Sequence, residues 1–366
     1  MSTDFLARPG AVEAGGPDAG VAAHYGNPIA EQRLLAAGGA VVDLSNRGVI
    51  VVSGEDRIRW LDSVTSQDLT ALTPGHSAEA LLLNPNGRIE HVLRLLDDGV
   101  TTWLLVEAEE TEPLRGWLES MRFMMRVEVT DRSAQFATIG SFADPAHFGE
   151  FGGAVAAPNG VPLTWTDPWA VVTAGGHQYA HGDGHPYGDW TWRESLVDRS
   201  DVVKLSAIPA AGTLALEALR IAAWRPRFAA EVDDRSIPHE LDWLRSAVHL
   251  QKGCYRGQET VAKVHNLGHP PRRLVMLHLD GSDAVLPPAG AEVTLERRVV
   301  GRVTSSAMHH EFGPIALAVV KRGTDPQATL AVEADGVTVT AAQEVVVPLD
   351  AGATATIPRM PRLGAR

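Results

Sequence analysis

A chain of 366 residues, 45% of them apolar, exceeds what one core organises and points to two or three domains. Its 45 acids against 32 bases leave a formal charge of −13, the wrong sign for a nucleic-acid or anionic-membrane partner, with room only for a local basic pocket. One cysteine excludes an internal disulfide framework and suits a reducing, cytoplasmic setting.

Residues 1–27 are rich in Gly and Ala without apolar periodicity, so a disordered N-terminal tail is expected there. The opening "MSTDFLARPGAVEAGGPDAG" lacks the apolar stretch of a secretory signal. No later run reaches the roughly 18 to 20 apolar residues that cross a bilayer. Order begins near "AVVDLSNRGVIVVSG", where Val49, Ile50, Val51 and Val52 form a short buried strand. Ser53 is placed to cap a helix carrying Ile58, Leu61 and Val64, with Asp56 acidic in its first turn. "ALLLNPNGRIEHVLRLL" follows, two β-like runs around Asn86-Gly87, a hairpin signal. "DDGVTTWLLVE" adds a strand, and "TEPLRGWLESMRFMM" sets Leu114, Trp117, Leu118 and Met121 on one helical face. Strand-like "RVEVTD" closes this unit. Locally paired strands with helices to one side predict an α+β layer and exclude a doubly wound nucleotide fold.

The pattern is weak from 140 to 205. "TLALEALRIAAW" (213–224) and "HELDWLRSAV" (239–248) read as helices. After "HPPRR" the texture turns to strands, with Asp335-Gly336 a hairpin turn. The expected division is 28–140 and 141–271 as two α+β domains, 272–347 as a small β domain and 348–366 as a tail.

The stretch "LQKGCYRGQETVAKVHNLGH" holds the single cysteine, Cys254, and two of the chain's four lysines, Lys252 and Lys263. A lone cysteine is ordinarily a small buried hydrophobe. Here Gly253 and Gly257 favour an exposed turn, Lys252 and Arg256 place cations beside the thiol, and "GQETVAKV" can start a helix whose N-terminus adds to their effect. His249 and His265 are candidate bases for such a thiol. Three catalytic assignments follow: Cys254 as reactive thiol, Lys252 and Arg256 as its electrostatic support.

"KGCYRGQE" followed by "VHNLGHPPRRL" resembles the signature of the YgfZ-type, tetrahydrofolate-linked iron–sulfur cluster assembly and repair proteins. "IPHELDWL" is similar to that family's Pro-x-Glu segment. "VVDLSNRGVIVVSGEDRIRWLDSVTSQDL" resembles the first domain shared with the glycine cleavage T-protein, and "GRVTSS" its C-terminal barrel. The resemblance, over roughly residues 35 to 345, implies a T-protein-like α+β ring of three domains around a central cleft, closed by a small C-terminal β-barrel. It implies assembly or repair of clusters in client enzymes, with Cys254 beside a cleft for tetrahydrofolate or a folate derivative. The alternative it carries is a folate-dependent aminomethyl transferase or a demethylase-like enzyme. Implied cofactor-binding positions are Arg220, Trp224, Glu240, Glu90, Tyr255 and Gln258, with Glu259 also anchoring the loop. Transient contacts with iron–sulfur clients or cluster-assembly proteins would follow, and no nucleic acid or membrane.

The sequence departs from the resembling families at two places. Glu90 and His91 stand where aminomethyltransferases carry an Asp pair, and "RIAAWRP" puts Ala222 and Trp224 where an Arg-x-Glu-Ala-Gly stretch has Glu and Gly. Trp224 offers a ring that could stack on a pterin in compensation. No stably bound metal is expected. One thiol cannot hold a cluster, and the spaced His177, His181, His185 and Asp183 lie among glycines that argue for a surface loop. "MHHEF" reads as a solvated histidine pair, and Asp233-Asp234 as a secondary cleft candidate. No P-loop, G-x-G-x-x-G or G-x-S-x-G is present.

Overall fold

A computed structural model describes residues 5–180, 185–282, 285–334 and 336–355. The run Gly48–Ser53 is apolar on both sides because both of its faces are covered. Ile50 and Val52 join Leu93, Leu95 and Leu104 under the helices Arg57–Val64 and Thr111–Ser120. Val49 and Val51 point the other way, into a core shared by the whole molecule. Five antiparallel strands make this first sheet, in the order 77–83, 89–97, 101–106, 48–53, 128–131. Its hairpin turns at Asn84–Arg88, where Gly87 N–H donates to Asn84 O at 2.9 Å and Gly87 takes φ of +72°. The helix cap differs from expectation: Ser53 ends the strand, and Asp56 occupies the cap position with its carboxylate bonded to Arg126.

The second sheet, in the order 164–166, 193–198, 136–141, 41–43, 210–211, takes Val41–Asp43 from ahead of the first sheet. Its only parallel pair among the described residues joins 41–43 to 210–211. Residues 28–140 and 141–271 therefore interleave in space. The helix Thr213–Ala222 buries Ala215, Leu216, Ala218, Leu219 and Ile221 in the common core. The stretch 239–248, expected as a helix, is a 3-10 turn Pro238–Leu241 followed by irregular backbone. Asp242, left-handed at φ of +54°, ends the turn, and burial of nearly every side chain leaves no polar face for a helix to expose.

Six strands, 272–279, 292–295, 298–309, 313–321, 330–334 and 337–345, close a barrel around Val275, Leu277, Val293, Val303, Ala318 and Val332. Asp335 of the expected turn lies outside the described residues. The fold is α+β with this small C-terminal barrel. Leu274, Met276 and Leu317 of the barrel meet residues of both sheets in one core, so the three bodies share a centre.

Both expected tails need correction. Phe5 is fully buried with Val41, Ala137 and Ile139, and Arg8 donates to the carbonyls of Leu205 and Ile208 at 2.8 and 2.7 Å. Residues 12–13 and 22–24 pair as strands. A few anchors hold a segment that has no periodic pattern to announce it. At the other end, Ala351 is buried, and the N–H groups of Thr354 and Ala355 donate to the carbonyls of His265 and Asn266 at 3.0 and 3.1 Å. Residues 356–366 lie outside the description.

Candidate functional site

Cys254 is exposed, which excludes the buried-hydrophobe reading. The helix expected downstream is Gln258–Leu267, with Gly257 at its N-cap. Gly257 is needed there twice over. Its φ is +84°, and a Cβ would lie 2.6 Å from Asn84 O and 3.0 Å from Gly87 Cα. The cysteine loop thus sits directly on the Asn-Gly hairpin turn of the first sheet. Gln258 Nε2 closes the loop by donating to Lys252 O at 3.1 Å.

The two flanking cations are committed elsewhere. The side chain of Lys252 is almost fully buried, and its ammonium donates to Asp62 O (2.6 Å), Gln67 O (2.7 Å), Thr65 O and Asp62 Oδ1 (both 3.0 Å). Those groups lie at and just beyond the C-terminal end of helix Arg57–Val64, where orphan carbonyls and the helix dipole favour a cation. Burial lowers the Lys252 pKa, and Asp62 opposes that fall. The lysine is a clasp between loop and first domain, a correction to its expected part as support for the thiol. Arg256 pairs with Glu90 at 2.8 Å and lies 5.8 Å over the Trp117 ring. Glu90, expected at a cofactor, is thereby drawn into the cysteine site. Tyr255 is buried under the Lys252 ammonium, 5.6 Å from its ring, and burial raises its phenol well above the usual range. His265 stands about 10 Å along the helix from its start, bonded to Tyr179 Oη at 3.0 Å. His249 Nδ1 accepts from Gln251 N–H.

The remaining expected positions lie in other surroundings. Glu240 is fully buried and accepts from Arg272 Nη2 at 2.8 Å and Nε at 3.0 Å, with Asp233 on the same guanidinium at 2.6 Å. Both carboxylates tie the first barrel strand to the turn before it; Glu240 is wholly spent on that tie, whereas Asp233 stays half-exposed at the edge of a separate surface cavity. Arg220 is buried between Glu217 (2.7 Å) and Glu231 (2.9 Å). Trp224 is buried, edge-on to His185 at 4.9 Å, and does not line the central cavity.

At that centre lies a charge network of which the sequence reading named only Arg220, a residue of the cavity wall. Arg94, on the first sheet, bonds Glu194 of the second and Glu107, each at 2.8 Å. Arg47 pairs with the same Glu194. Arg227 reaches Glu107 at 2.8 Å, Asp18 at 2.7 Å and Glu217 at 3.2 Å. Arg225 holds Glu79 at 2.6 Å and Asp167 at 3.0 Å. Glu231 carries the chain of contacts to the barrel through Thr304 and Ser305 hydroxyls at 2.8 and 2.7 Å. Burial pushes Glu194 and Glu217 up, but the arginines outweigh it and hold each at about 2. For Asp167 burial prevails and the pKa is raised, with Glu79 adding to the rise against Arg225. A signal was available at two positions: Glu79 interrupts the run Ala78–Leu83 and Arg94 the run Val92–Leu96, and a charged residue in such a run must find a partner once buried.

The cavity lined by this network measures about 50 Å³, with Trp165, Trp190, Trp192 and Trp243 among its walls. That is room for one or two waters, whereas a site for a ligand of folate size needs about 300 Å³ or more. Arg225 Nη1 is a buried donor without a partner there, yet the carboxylates that could receive a pterin edge are held by arginines. The residues present do not fit a folate at the centre.

Among the described residues no group of three or more His, Cys, Asp or Glu could hold a metal ion, and no helix is long and apolar enough to cross a membrane. His181 and Asp183 lie outside the description. His177 packs on His265 at 4.7 Å, while His185 meets Arg245 at 2.7 Å. His309, expected in solvent, is buried and stacked on Phe312 at 4.7 Å.

The class defined by these three bodies is the T-protein fold. A solved glycine cleavage aminomethyltransferase from Bartonella henselae superposes with a TM-score of 0.72, covering 94% of this chain and 96% of its own, at 18% identity. Residues 272–349 match the glycine cleavage T-protein C-terminal barrel domain. Among particular relatives, an aminomethyltransferase of Rippkaea orientalis is 27% identical over 76% of this chain and 78% of its own length. A protein of Colwellia psychrerythraea described as "tRNA-modifying protein YgfZ" is 23% identical, covering 65% and 71%. A Mycosarcoma maydis homologue of the mitochondrial iron–sulfur cluster assembly factor IBA57 is also 23% identical, covering 67% and 58%.

Proposed function

We propose that this is a cytoplasmic, YgfZ-type accessory protein for the assembly or repair of iron–sulfur clusters in client enzymes, and that Cys254 carries the function. The observation behind it is one of presentation. The only thiol of the chain is exposed, three residues before the glycine that caps a helix, on a loop pinned by Lys252, Gln258 and the Gly87–Gly257 contact. A rigidly displayed thiol meets a client's cluster or thiol at little ordering cost. Accessibility, more than activation by Lys252 or Arg256, is what the loop supplies. The similarity to an iron–sulfur cluster assembly factor supports the same reading.

A folate-dependent aminomethyl transfer is the second reading, favoured by the fold it shares with an aminomethyltransferase. Against it, Glu90 is neutralised by Arg256, and the central carboxylates are engaged. Cells lacking the gene, assayed for a [4Fe–4S] enzyme after supplying wild type or Cys254→Ala, test the proposal. Wild type should restore at least most of the activity and the variant little of it, with its melting point unchanged because the side chain is exposed. Equal rescue by both removes Cys254 from the mechanism. An undiminished client enzyme in the deletion removes the iron–sulfur role.

A further inference from the structure

We infer that this chain works without a folate in its central cleft, the cleft being closed by its own side chains. Three independent features converge on it. The first is volume: about 50 Å³ remains among Glu79, Arg94, Asp167, Glu194, Arg225 and the surrounding indoles. The second is electrostatic. Glu194 is shared by Arg47 and Arg94, Glu79 by Arg225, the Trp243 indole and the Ser246 hydroxyl, and Asp167 by Arg225 and the Trp190 indole. A pterin edge presents donors, and each acceptor that could receive them is already receiving protein donors.

The third feature lies in the turn after helix Thr213–Ala222. Trp224 N–H donates to Ile221 O at 3.0 Å and Arg225 N–H to Arg220 O at 2.9 Å, the paired bonds of a Schellman stop. The left-handed residue of that stop is ordinarily glycine, and here it is Trp224 at φ of +55°. The turn keeps its geometry and directs Arg225 and Arg227 into the centre, where they make seven of the ion pairs and hydrogen bonds to carboxylates. With Ala222 before it, the segment offers a ligand neither a carboxylate nor a glycine's open approach. The same stretch that would receive a pterin instead supplies the arginines that fill its place.

This inference rests on the fold and the centre alone, and it stands or falls apart from the iron–sulfur reading. The test is titration of the full chain with 5-formyltetrahydrofolate and with folic acid, followed by calorimetry and by tryptophan fluorescence. Four indoles wall the cavity, so a ligand there would change the emission. An aminomethyltransferase that binds these ligands is titrated in parallel. No saturable heat and no change in emission are expected up to about 1 mM ligand. Saturable binding by either readout overturns the inference. The client-enzyme rescue assay detects Cys254-dependent activity and not ligand binding, so failure of one proposal leaves the other measurable.

Discussion

Lys252 sends its ammonium into the carbonyls around the end of helix Arg57–Val64, and this choice of partner sets the meaning of its neighbours. Lys252→Met keeps most of the stem and deletes the donors, leaving buried carbonyls unpaired. We expect a loss of about 2 kcal/mol in denaturant unfolding, with faster amide exchange around Thr65–Gln67. Gly257→Ala forces a side chain into a left-handed position against Asn84 O and Gly87. Stability should drop by more than about 1 kcal/mol, read as a lower melting temperature. A matching loss of client rescue should follow from displacement of the cysteine loop. At this scale the glycines and the exposed thiol were legible, because turn chemistry is local. The partners of Lys252 and Arg256 were not, since Asp62 and Glu90 lie more than 160 residues away in the chain.

Among the elements, the strands and the barrel were readable from alternation and turn residues, as in Val49–Val52 and the Asn86-Gly87 hairpin. The segment 239–248 misled because Leu241, Leu244 and Val248 recur at helical spacing, while its polar residues His239, Glu240, Asp242, Arg245 and Ser246 are buried as well and leave no solvent face. The N-terminal segment misled for the opposite reason. Phe5, Arg8 and Asp18 anchor it at three scattered positions, too sparse for a period to reveal. Asp18→Asn weakens the paired bonds to Arg227 at 2.9 and 2.7 Å. About 1–3 kcal/mol should be lost, seen as a lower urea midpoint with unchanged slope. If that segment contributed nothing, the midpoint would not move.

For the molecule as a whole, the network joins two sheets and the barrel through groups that have left water, and its worth depends on their ionisation. Glu194 ionises at about 2 in the folded protein against about 4.5 when unfolded, so its contribution is complete above roughly pH 4.5 and disappears as the pH falls toward 2. That contribution is about 3 kcal/mol, spread over those units. Asp242 works in the other direction: burial lifts it to about 7, so the folded state holds a proton that the unfolded chain releases, and stability declines as the pH rises from about 4 to 7. Between pH 4 and 6.5 that decline runs against a gain from His185, His239 and His309, which burial holds neutral with pKa values of about 3, 3 and 4, so urea midpoints should fall on the acid side and the Asp242 share is read by difference. Asp242→Asn should raise the midpoint at pH 8 relative to pH 5 compared with wild type, while leaving the acid limb in place. An identical change from pH 5 to pH 8 in wild type and variant would show that Asp242 does not titrate in this way. The network was the least legible part of the protein, since it is assembled from residues 18 to 231 and exists only after the three bodies have met.

The helix that begins beside Cys254 is gripped at both ends by segments remote in sequence. Its start rests on Gly87 of an early hairpin, and its last carbonyls are capped by Thr354 and Ala355, beyond the barrel. Loop closure over such spans is slow relative to local pairing. The thiol therefore reaches its final setting only after almost the entire chain has been synthesised and docked. A nascent or half-folded copy would not display its cysteine in the pinned geometry, so competence to meet a partner becomes a reporter of completed folding.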